Sequence, residues 1–230
     1  MTIRLVFFLV LILNMLAVSA GVIICSYTDV DPFCEGGFIT KLSVFQLLVI
    51  AWLSYKIFQA RRVKRRHALW RDSSVVWLIV ALGFLFLAVD DLFMIHEGID
   101  GLIHAVFNMQ ETAFTDRIDD FLVGLYGLAG IGVFIICRDE LNRYREAFPF
   151  FIFGFVLFFT MVSLDMLINR NDILPLIFDY AQVEVLNVWL TFAEDSLKVF
   201  AEAFFILAFY AILQKAKRHM KLEPVVCIGG

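Results

Sequence analysis

LFLAVDDLFMIHEGID, residues 85–100, is an apolar run that closes on two adjacent carboxylates, Asp90 and Asp91, followed by His96 and Glu97. From about residue 74 onward the chain is apolar enough for a membrane helix, so these ionisable groups fall at or inside its end. An acid at the centre of such a helix costs roughly 2.5–3.5 kcal/mol on insertion. Charges placed there demand partners, and the rest of the chain can be read by asking where those partners lie.

The composition sets the class. Of 230 residues, 61% are hydrophobic and only 18% charged, and the mean hydropathy is +0.85, outside the range of soluble domains. Apolar stretches near the ~20 residues needed to cross a bilayer recur at 4–25, 39–59, 74–96, 119–137, 148–168 and 187–213. They lack the period-two alternation of a membrane barrel, and backbone in lipid must be paired internally. The expectation is an all-α polytopic bundle of six helices forming a single integral membrane domain over 1–230. Val18-Ser19-Ala20 before Gly21 resembles a signal-cleavage site, but we expect the first span to be retained.

Lysine and arginine set the orientation. Arg61, Arg62, Lys64, Arg65, Arg66 and Arg71 follow the second span, Arg138, Arg143 and Arg145 the fourth, and Lys215, Lys217, Arg218 and Lys221 the last. The alternate loops hold Lys41, Arg117 and Arg170 against many acids, among them Asp29, Asp31, Glu35, Glu111 and Asp116. Both termini are therefore predicted to be cytoplasmic. The run RRVKRR reads as a topology determinant lying on lipid headgroups, not as a nucleic-acid site. An acidic outer face favours cations as partners.

Inside the spans, six carboxylates stand out: Asp90, Asp91, Asp165, Glu194, Asp195 and Glu202. The assigned topology puts all of them in the outer half of the bilayer, on the third, fifth and sixth spans. Asp90, His96, Glu97, Asp100 and His104 would share an arc of about 120° if the third helix ran on through Gly98 and Gly101. Glu194 and Lys198 have the i to i+4 order of a favourable helical pair. Lys198 and a protonated His96 leave an excess of acids. Protons, a divalent metal (calcium, manganese, iron or zinc) or water must supply the balance. Asp119 and Asp120, at the start of the fourth span, read as helix caps.

Other positions read as structural. Asn14 suits an interhelical hydrogen bond, and Ser43, Gln46 and Ser54 suit packing and hydrogen bonding. Gly124, Gly127, Gly130 and Gly132 allow close helix approach. Trp52, Trp70 and Trp77 fit one interface and Trp189 the other, and the 26 phenylalanines fit helix packing. Cys25 and Cys34 flank a short loop that leaves a disulfide open.

Asp90-Asp91-x4-His96-Glu97 resembles the S-L-D-E-x4-H-E signature of a group of small, uncharacterised bacterial integral membrane proteins. Glu194-Asp195-x-x-Lys198 resembles that group's E-E-x-x-E motif in its last span. The chain departs at Asp91 and Asp195, where the group usually has Glu, and at Lys198, where it often has an acid. The resemblance spans the third to sixth helices and implies a multi-pass protein of the bacterial inner membrane; it lends no reaction. Ceramidase-like hydrolases use three zinc-bound histidines, and only His96 and His104 are available here. The E-E-x-x-K of PrsW-type proteases is similar to the last motif, but no later histidine motif accompanies it.

The leading expectation is an outer-leaflet pocket that binds a divalent cation or handles protons or cations. Asp90, His96 and Glu97 would be the principal ligands; Asp91, Asp165, Glu194, Asp195 and Glu202 would complete the site, and Lys198 would hold one carboxylate charged. A metal-dependent membrane hydrolase acting on a lipid is the alternative, with Glu97 or Glu194 as general base. A third reading is an accessory subunit of a larger membrane complex or a homo-oligomer. Whether the protein is an enzyme is left open.

Overall fold

With no water to satisfy it, an apolar backbone of membrane length pairs its own polar groups by coiling into helix. The computed structural model describes residues 2–34, 36–62, 73–108, 112, 115–168 and 173–222, and these are helical with no strand among them. The helices are α1 (Ile3–Tyr27), α2 (Phe38–Arg62), α3 (Val75–Phe93), α4 (Ile95–Phe107), α5 (Ile118–Ile136), the short α6 (Arg138–Leu141), α7 (Phe148–Ile168) and α8 (Tyr180–Leu222). Among the described residues six helices are long and apolar enough to cross a membrane, the fifth formed by α6, the 3-10 turn after it and α7 together. The basic run beyond Arg62, together with Glu35, Trp70, Glu111, Arg170 and Cys227, lies outside the described residues.

The post of the bundle is α8, whose 43 residues run about 64 Å at 1.5 Å each. Helices α2 and α7 pack along it and α1 packs on it more lightly; α3 leans on α2, and α5 on α7. Small residues set the close approaches. A Cβ on Gly154 of α7 would stand 2.8 Å from the Phe205 ring of α8, so any larger residue would displace that ring. The expected glycine face of α5 is there at Gly124, Gly127 and Gly130, which face Val162, Phe158 and Phe155 of α7, whereas Gly132 meets nothing.

The main core occupies the end of the bundle away from the acids, and phenylalanine supplies much of it: Phe84, Phe151, Phe205 and Phe209 pack edge to face or tilted. Trp77 is fully buried there, with rings of Tyr144 and Phe209 against it at 5.7 and 6.3 Å. The expectation that Trp77 anchors an interface is thus corrected. Its indole Nε1 needs a partner when buried, and Nε1 donates to Glu140 at 3.3 Å.

Glu140 itself is buried and accepts two bonds from Arg61, Nε at 2.8 Å and Nη2 at 3.0 Å, and a third from Ser73 Oγ at 3.1 Å. One carboxylate therefore ties α2, the start of α3 and α6. At the other end Asn14, fully buried, donates to the Val199 carbonyl at 2.8 Å and accepts from Gln46 at 2.9 Å. That is the interhelical bond expected of Asn14. Cys25 and Cys34 are free thiols.

Candidate functional site

The site begins where α3 ends. The third span, expected over 74–96, ends earlier, and the break before α4 falls at Met94, not at Gly98 or Gly101. Met94 takes the left-handed conformation, φ 51° and ψ 47°, which a residue with a Cβ adopts only under constraint. The constraint is Asp90. Its backbone carbonyl accepts the Met94 N–H. One side-chain oxygen accepts the His96 backbone N–H at 3.0 Å, and the other lies 3.0 Å from His96 Nδ1. A buried carboxylate thus caps the first turn of α4 and folds the imidazole back over itself.

Asp91 points to a different neighbour. It pairs with Lys198 of α8, so the expected Glu194–Lys198 pair within one helix gives way to a bond between helices. Asp91 Oδ2 also lies 2.7 Å from Ser43 Oγ of α2, and the same hydroxyl lies 2.6 Å from Glu202 Oε1 of α8. A serine hydroxyl has one hydrogen to donate. Both contacts are hydrogen bonds only when one of the two carboxyls brings a proton of its own. Glu202 is buried, and its second oxygen, Oε2, has no hydrogen-bond partner.

A second carboxyl pair lies across the bundle. Asp165 of α7 lies close to Asp120 of α5. Asp120 is buried, so it is more than the cap the sequence suggests. Glu194 lies within electrostatic reach of Asp165, Asp120 and Lys198.

Most of these groups line one cavity of about 360 Å³. Asp90, Asp91, His96, Asp165, Glu194, Lys198 and Glu202 form its polar end. Glu97 and Asp195 are not in its wall. Glu97 is 38% exposed with an oxygen 3.9 Å from His96 Nε2, and Asp195 is buried beside Lys198 and Asp91. Tyr126 also lines it, whereas Ser43, read from the sequence as a packing residue, and Asp120, read as a cap, stand outside its wall. Away from the acids the cavity continues between α3 and α5 along Ile79, Gly83, Phe86, Val123 and Tyr126, and Phe86 and Tyr126 touch edge to face across it at 5.4 Å.

His96 holds its proton more tightly than a free imidazole. The hydrogen bond to Asp90 raises its pKa above 6.5; burial opposes this, and the charges of Asp90, Glu97 and Asp119 add to the rise. A raised folded-state pKa means that the imidazolium–Asp90 pair contributes fully below pH 6.5 and is lost as pH climbs through the folded value. Thermal unfolding in detergent is expected to show a transition temperature that falls as pH rises through this window, with the fall much reduced in His96→Asn. Equal slopes in the two proteins would show that the pair is not formed.

Among the described residues no group of three or more His, Cys, Asp or Glu is arranged to hold a metal ion. What the fold and the site define is a multi-pass membrane protein with a carboxylate-rich cavity at one end of its bundle, lined also by one histidine and one lysine. Over residues 3–213 the chain matches the domain of unknown function DUF8692, and it belongs to that family. No curated protein and no solved structure matches it.

Proposed function

We propose that the cavity exchanges protons for a cation at the outer half of the bacterial inner membrane, with both termini in the cytoplasm. The observation that carries this reading is Ser43, whose single hydroxyl joins Asp91 to Glu202. Lys198 holds Asp91 as an anion, so the proton belongs on Glu202, and Ser43 accepts from Glu202 while donating to Asp91. Five carboxyls line the cavity against one lysine and one histidine, so an arriving cation finds acids whose protons it can displace. The reading accommodates a divalent metal as well as an organic or monovalent cation, and Asp90, His96 and Glu97 would take part through the first two, with Glu97 at the rim.

Proton release tests it. Purified protein in weak buffer would be mixed with sodium, calcium, manganese or an alkylammonium salt, and a pH indicator would report protons set free. Release by at least one cation is expected in the wild type and should fall markedly in Glu202→Gln. Well-folded protein that releases nothing to any of them would sink the reading.

A further inference from the structure

The cavity is polar at one end only. Beyond the acids it runs between α3 and α5 over aliphatic and aromatic side chains. These two helices lean away from each other, α3 on α2 and α5 on α7. The outer faces beside this cleft are apolar and exposed, including Ile79, Leu82, Phe86 and Leu125, as expected of surface bathed in acyl chains. At the head of the cleft sits Glu202, 95% buried with an unbonded oxygen, a group that a buried donor would satisfy.

Resting on the cation-exchange reading, we infer that the cavity binds an amphiphile with a primary ammonium head and an unbranched apolar tail. The head would donate to Glu202 Oε2 on the same cavity wall as Asp91; the tail would follow the α3–α5 cleft past Gly83. An ammonium is suited to this place because it offers three donors and one positive charge to an end of the cavity with an excess of acids. A small metal ion would use that end and leave the apolar half empty. A neutral lipid would fill the cleft and leave Glu202 unanswered. The Phe86–Tyr126 edge contact spans the cleft on the side of these exposed apolar faces.

The test is photolabelling in lipid nanodiscs with a diazirine-bearing dodecylamine, the labelled peptides being read by mass spectrometry. Label is expected on α3 and α5 beside the cleft, displaced by excess dodecylamine but not by butylamine or dodecanol. Glu202→Gln should lower labelling roughly tenfold or more, the effect of losing one charge-assisted bond in a buried site. Gly83→Leu should lower it comparably by filling the cleft, since a Cβ at Gly83 meets nothing within 4 Å and leucine is a better helix former than glycine. Displacement by dodecanol as good as by dodecylamine, or labelling untouched by both substitutions, would overturn the proposal. Proton release by inorganic cations alongside that failure would leave the exchange reading standing and remove only the amphiphile; no release and no labelling would remove both.

Discussion

Glu140→Ala is expected to cost about 3–5 kcal/mol of folding stability, the range for removing one partner of a buried ion pair. The cost arises because Arg61, 20% exposed, keeps its charge but loses a bidentate acceptor, while the Trp77 indole and Ser73 hydroxyl lose theirs too. Reversible unfolding in mixed micelles would measure it. Glu140→Gln retains an acceptor oxygen and should cost less than alanine. Stability of Glu140→Ala within about 1 kcal/mol of wild type, the worth of an exposed pair, would show that this end of the bundle is held by its aromatic core alone.

Lys198→Met is the second large effect, also about 3–5 kcal/mol. Asp91, 13% exposed, would then face Ser43 and the acids of α8 with no cation beside it. Because the damage is an uncompensated anion, it should be reversible in a specific way. Adding Asp91→Asn to Lys198→Met is expected to recover part of the loss, with a coupling energy of about 1–3 kcal/mol in a double-mutant cycle. Additive losses would instead show that Lys198 acts mainly on Glu194, the i to i+4 partner its spacing suggests.

The contrast between those two partners shows where sequence stops informing. Helix spacing makes Glu194 and Lys198 neighbours on one surface, worth a few tenths of a kcal/mol. A buried anion on a facing helix offers a larger gain, so the lysine crosses to Asp91, and nothing in local spacing reveals which helix will face it. The six spans were legible because twenty apolar residues in a row have few other uses. The clustering of Asp90, Asp91, Asp165, Glu194 and Glu202 at one end was legible from helix direction alone. The break at Met94 was not, since methionine is a good helix former and the glycines at 98 and 101 are the more obvious weak points. That break is imposed by where the Asp90 carboxylate can bond. Ser43 was hidden for a similar reason: a serine in a membrane helix ordinarily bonds its own helix, as Ser54 does with Ile50. Asp120 looked like a cap because acids at a helix start usually are. Glu140 sits in the charged segment RDELNRYRE, where its burial has no periodic signature.

On the proposed reading a proton resides on Glu202, bridged by Ser43 to the Asp91–Lys198 pair. Infrared spectroscopy of the protein in lipid tests it most directly, through the carboxylic C=O stretch that only a protonated acid gives. At neutral pH the wild type is expected to show such a band, shifted on exchange into deuterated water, with a component absent from Glu202→Gln and moved in Ser43→Ala. A spectrum without that component, or one identical in wild type and Glu202→Gln, would contradict the account.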